Sequence, residues 1–138
     1  GRLIDVKARK FLKKINLDYE HGTGHGVGFF SNVHEGPQSL SKYNKIKICE
    51  GMILSNEPGY YKKGKFGIRI ENLIYVKKFN KKLLFENLTL APIDTDLINP
   101  ELLTNNEKDY LSKYNSLIYS KLSKFLNTNE RKWLSSFI

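Results

Sequence analysis

The chain has 138 residues, 40% hydrophobic and 27% charged, with a formal net charge of +9. That length suits one folded domain with a real apolar core, and no apolar run approaches the roughly 18 residues a bilayer span needs. The positive charge is lysine scattered along the chain rather than a basic stripe interleaved with aromatics or a reading helix, so neither a nucleic-acid partner nor a membrane is expected.

Gly1-Arg2-Leu3-Ile4-Asp5 carries no initiator Met and no signal-like apolar region, so the chain is expected to begin inside something longer. Apolar residues at Leu3, Ile4, Val6, Phe11, Leu12 and Ile15 predict an amphipathic helix over 3–15 that ends at Asn16. Four glycines within His21–Gly28 rule against helix and predict an extended segment with close backbone approaches. Phe29–Asn44 reads as loop. Short strands are expected over Lys45–Cys49 and Gly51–Asn56, the second stopped by Pro58-Gly59. A turn at Lys62–Lys65 leads into a long strand over Phe66–Val76, a basic turn over Lys77–Lys82, and two short strands at Leu83–Phe85 and Leu88–Leu90. The composite is α+β.

The last third changes character. Thr104-Asn105-Asn106-Glu107 is a capping-box pattern, and apolar residues from Tyr110 to Leu126 follow at helical spacing. Asn127–Asn129 break that helix before a short one over Glu130–Phe137. The chain divides, on this reading, into 1–92 and a helical extension over 93–138 packed on it.

All three histidines lie between His21 and His34. His21 and His25 have the spacing of a helical zinc motif, but that motif needs a Glu after the first His, and Gly22 stands there. On an extended backbone the same spacing puts both imidazoles on one side, and the glycines allow another backbone to come near. In Ile68-Arg69-Ile70-Glu71 the isoleucines share one face and Arg69 and Glu71 the other, a pattern that suits a metal ligand or a plain ion pair equally. Glu57 sits at a strand end before Pro58. One imidazole with two carboxylates is a hard donor set suited to manganese, cobalt or zinc. Taken singly, His21 and His34 suit hydrogen-bonded structural roles, Glu35 a solvated or capping one, and Cys49 that of a buried small hydrophobe rather than a nucleophile. A lone cysteine cannot close an internal disulfide and leans towards a reducing compartment.

In HGTGHGVG, NVHEGP, EPGYY and FGIRIEN, taken in order and at this spacing, the chain resembles the Xaa-Pro aminopeptidases (aminopeptidase P) of cytosolic type. These belong to the pita-bread metallopeptidase family M24, with prolidase and methionine aminopeptidase. The resemblance implies the C-terminal half of a pita-bread fold: a curved antiparallel sheet with helices on one face, followed by C-terminal helices. It implies a metal-dependent enzyme that removes the N-terminal residue from peptides with proline in second position. His25 would be the imidazole ligand of a dinuclear centre, Glu57 a carboxylate ligand and general base, and Glu71 the carboxylate bridging both metals. His21 and His34 would bind substrate and move protons, while Arg69 and Tyr61 would orient the ligands.

The family's two aspartate ligands come from an upstream strand, and Asp5 and Asp18 do not match that motif. The resemblance therefore implies weak or partial metal binding here, no activity by this chain alone, and an upstream half as partner. It further implies two divalent ions, manganese with zinc or cobalt as alternatives, a homodimer through the tail helices, and a cytoplasmic location. Prolidase-type dipeptide cleavage and a non-catalytic peptide- or protein-binding module are the competing readings.

Overall fold

The structure, a computed structural model, describes residues 1–30 and 32–138. It forms two compact units, Gly1–Thr89 and Leu90–Ile138.

The first unit opens with α1 (Arg2–Lys13), which ends as Asn16 turns to a positive φ of 57°. Among the described residues seven strands follow: β1 (Gly24–His25), β2 (Ser39–Leu40), β3 (Ile53–Asn56), β4 (Gly59–Lys62), β5 (Phe66–Arg69), β6 (Asn72–Phe79) and β7 (Lys82–Asn87). All pairings are antiparallel: β1 with β2, β3 with β6, β6 with β7, and β4 with β5. A bridge between Gly26 and Leu54 ties β1 to β3. The α+β expectation holds. Leu40, Leu54, Ile74 and Val76 form the core of this unit, with Ile4 of α1, Ile48 and Met52 against it. Each of these buried aliphatics contributes about 1.5–3 kcal/mol.

The segment expected as one strand over Phe66–Val76 is two. β5 pairs with β4, β6 pairs with β3, and Ile70-Glu71 lies between. The register is nevertheless unbroken: Asn56 pairs with Asn72 and Gly59 with Arg69, so the intervening Glu57-Pro58 stands opposite Ile70-Glu71. Pro58 has no N–H to give the ladder, which opens for two residues and places Glu57 across from Glu71.

Other expectations fail for want of a ladder partner. Lys45–Cys49 alternates like a strand but is irregular, its bonds being of turn type: Ile46 N–H donates to Asn44 Oδ1 and Met52 N–H to Cys49 O. Cys49 is exposed there, not buried. Leu88–Leu90 is not a strand. The basic turn narrows to Asn80-Lys81, both at positive φ, with Lys77–Phe79 belonging to β6 and Lys82 to β7. Tyr60 and Tyr61 lie in β4, where no strand was expected. The Phe29–Asn44 loop contains β2, and its Ser31 lies outside the described residues. On α1 the buried residues are Asp5 and Arg9, whereas Leu3, Val6 and Phe11 are exposed, as is Ile15 just beyond its end.

The second unit contains a 3-10 turn over Pro100–Leu102, α2 (Asn105–Leu122), a 3-10 turn over Ser123–Phe125, and α3 (Thr128–Ser135). Thr104 and Glu107 form the expected capping box, and Asn127 with Glu130 forms a second that starts α3. Tyr114, Ile118 and Leu134 make the core, with Leu90, Ile93 and Leu122 packed against it.

Candidate metal centre

His25, Glu57 and Glu71 each offer one ligand atom, and these atoms lie within 4.8 Å of one another. Glu57 is buried, His25 half-buried and Glu71 exposed. Each comes from a different part of the sheet. β1 carries His25, and the opened ladder between β3–β4 and β5–β6 carries the two carboxylates.

The approach of β1 to β3 requires glycine. At Gly24 a Cβ would overlap the backbone oxygen of Ser55, and at Gly26 that of Glu35. Two bonds fix the juxtaposition: Glu57 N–H donates to Thr23 O (2.8 Å), and Val27 N–H to Ile53 O (3.2 Å).

The His25 ring has a determined tautomer. Its Nδ1 lies 3.0 Å from Gly26 O, and a carbonyl only accepts, so Nδ1 carries the hydrogen. In the neutral ring Nε2 then presents a lone pair to Glu57 Oε1 at 3.4 Å. A backbone carbonyl on the far nitrogen is the usual support of a metal-binding imidazole. With the ring neutral, an imidazole lone pair and a carboxylate aimed at one point, beside a second carboxylate directly across the ladder, suit a cation between them, since like charges opposite one another are destabilising. The residues present fit a divalent ion held by oxygen and nitrogen.

Around this set, Arg69 Nη1 lies 3.6 Å from Glu57 Oε2, and Arg69 Nε donates to the Tyr61 oxygen at 2.8 Å. That bond holds Arg69 still more firmly charged than an ordinary guanidinium. Tyr61 in turn meets His21 Nε2 at 2.8 Å, and His21 Nδ1 donates to Gly22 O at 2.7 Å. Arg69, Tyr61 and His21 thus form one chain of hydrogen bonds leading away from Glu57. His34 is exposed, its ring 4.0 Å from that of His25. Glu35 is exposed and accepts from Asn32 Nδ2.

A residue not singled out in the sequence, Ser55, is fully buried beside the carboxylate, with its hydroxyl on Glu57 Oε1 at 2.9 Å. Its only sequence signal is the position two residues before Glu57, on the same face of an extended chain. Also missed was the anchor beneath His21. Arg9 Nη2 donates to His21 O, while Asp5 Oδ1 accepts from the Thr23 hydroxyl at 2.7 Å.

The sequence profile of metallopeptidase family M24 matches residues 1–78, more than half of the chain. The chain belongs to metallopeptidase family M24. A second profile, the C-terminal region of peptidase M24, matches residues 81–136. A relative named a probable Xaa-Pro aminopeptidase P, from Coprinopsis cinerea, is 47% identical over 97% of this chain and 24% of its own length. The crystal structure of an X-prolyl aminopeptidase from Caenorhabditis elegans, described as a cytosolic enzyme with a di-nuclear active site, superposes with a TM-score of 0.89 at 38% identity. It covers 99% of this chain and 24% of that one. Prolidase from Pyrococcus furiosus matches with a TM-score of 0.55 at 30% identity, over 63% of this chain and 24% of its own. The M24 chain therefore spans about a quarter of the length of these relatives. The resemblance to Xaa-Pro aminopeptidases holds, and with it the fold: the C-terminal half of a pita-bread domain followed by helices.

Proposed function

We propose that this M24 chain is the C-terminal part of a metal-dependent Xaa-Pro aminopeptidase that removes the N-terminal residue from peptides with proline in second position. The observation that carries the reading is the convergence of His25, Glu57 and Glu71 within 4.8 Å at the opened ladder. The aminopeptidase reading is favoured over prolidase because relatives named probable Xaa-Pro aminopeptidase P match over 97% of the chain at 46% and 47% identity, and the Caenorhabditis elegans X-prolyl aminopeptidase over 99%.

In this reading His25 Nε2, Glu57 and Glu71 hold two divalent cations, manganese with zinc or cobalt as alternatives, together with two aspartates of an upstream half. When bound, the cations supply Lewis acidity and make water a nucleophile near neutral pH. Glu57 takes the proton of the attacking water and passes it on. His21 and His34 would bind the substrate and move protons to the departing amine, which for His21 requires its ring to leave the Tyr61 oxygen or the Gly22 carbonyl. Arg69 and Tyr61 keep Glu57 and His21 oriented.

Two carboxylates balance only half the charge of two divalent cations, so the 138-residue chain alone binds metal partially and is inactive. Residues 1–92 serve as the second half of the catalytic domain and 93–138 as its helical extension. The exposed apolar side chains of Leu3, Val6, Phe66 and Ile68 support an upstream half that covers them. A homodimer through the tail helices and a cytoplasmic location complete the reading, the latter supported by the cytosolic relative.

The test is hydrolysis of an Arg-Pro-Pro peptide with added manganese, by this chain alone and by a chain joined to an upstream half. Activity in the joined protein only is expected. Activity in neither, under metal loading, overturns the reading in favour of a non-catalytic binding module.

A further inference from the structure

Ser55 is fully buried on β3 and makes two bonds that meet at its hydroxyl. The oxygen accepts from the His25 backbone N–H at 2.9 Å, and the hydrogen goes to Glu57 Oε1 at 2.9 Å. A serine hydroxyl has one hydrogen, and here it is spent on the carboxylate. Both partners belong to the candidate cation set, one through its main chain and one through its side chain. Resting on the metal-centre reading above, we infer that Ser55 is a positioning residue of that centre, which sets which oxygen of Glu57 faces His25.

The geometry explains how. Glu57 has two competing attractions: Oε1 lies 3.4 Å from His25 Nε2, and Oε2 lies 3.6 Å from Arg69 Nη1. The Arg69 contact is longer than a close ion pair, which commonly settles at about 2.7–2.9 Å. The Ser55 bond prevents the carboxylate from turning further towards Arg69 and keeps Oε1 inside. Because the same hydroxyl holds the His25 amide, β1 and the Glu57 side chain move together. Without the hydroxyl, Glu57 closes on Arg69, and the imidazole loses its carboxylate neighbour.

The test is manganese(II) uptake by the 138-residue chain, followed by loss of the free-ion electron paramagnetic resonance signal, in wild type, Ser55→Ala and Ser55→Thr. Ser55→Ala is expected to weaken uptake at least about tenfold, the scale of lost outer-shell partners, and Ser55→Thr, which keeps the hydroxyl, to restore most of it. Should Ser55→Ala not fold, Ser55→Cys reports the same loss, its thiol being a weak donor. Wild-type uptake with an unchanged Ser55→Ala, or a Ser55→Thr as weak as Ser55→Ala, overturns the inference while leaving the metal centre standing. No uptake by wild type, either alone or joined to an upstream half, overturns the metal centre itself, and this inference with it; where only the joined chain takes up manganese, the same variants are compared there.

Discussion

Asp5 and Arg9, one turn apart on α1, turn into the first unit and away from solvent. Arg9 Nε lies 3.0 Å from both oxygens of the fully buried Asp5. Around them Arg9 Nη1 donates to Asp18 Oδ1 and Tyr19 O, and the guanidinium lies 3.9 Å from the centre of the Tyr19 ring. The network joins α1 to the backbone of the His21 segment. Removing one member of a buried pair strands the other charge. Asp5→Ala is therefore expected to lower stability by about 3 kcal/mol, read from urea denaturation of the chain. A change under about 1 kcal/mol would mean that Asp18 alone satisfies Arg9.

Asp18 gives this network a pH dependence. Partial burial works against its ionisation, but hydrogen bonds from Lys13 and Arg9 outweigh it, and its pKa falls from an ordinary 3.8 to about 2. The folded state thus binds the proton less readily than the unfolded one. Its contribution is complete above about pH 4 and is lost as pH falls through about 2. Thermal melts across that window are expected to show a steeper loss of stability in wild type than in Asp18→Asn. Parallel curves would exclude the contribution.

Gly24 tests the close passage of β1 over β3. A methyl at this position overlaps the Ser55 oxygen, which is backbone and cannot step aside cheaply. Gly24→Ala is expected to cost about 2–3 kcal/mol and to weaken manganese uptake through displacement of His25. Gly64, with open space around it, provides the contrast, although its φ of +70° makes an Ala there strained for a different reason.

The three histidines are expected to separate in a metal titration. His25→Ala should abolish manganese uptake, since its Nε2 faces Glu57. His34→Ala should change uptake little, the ring being exposed and lying tilted beside that of His25. His21→Ala should also leave uptake near wild type, because its ring nitrogens are occupied by Tyr61 and Gly22. Equal losses in all three would remove the assignment of His25 as the ligand.

The amino-acid sequence by itself determined what local chemistry controls. Thr104 and Glu107 announce the start of α2 because a capping box is complete within four residues. The glycines of His21–Gly28 mark an extended, closely approached backbone, and the alternation in Ile68–Glu71 places Arg69 and Glu71 on one face. Tertiary structure decided the rest. Alternation in Lys45–Cys49 promised a strand, but a strand exists only where another edge supplies its hydrogen bonds. The apolar pattern of α1 promised an apolar buried face, yet Asp5 and Arg9 occupy the interior because Thr23, Tyr19 and His21 bring partners to them from outside the helix. The confrontation of Glu57 with Glu71, and the buried hydroxyl of Ser55 beneath it, arise from the register of two strands separated in sequence, a relation between segments that no single stretch of residues contains.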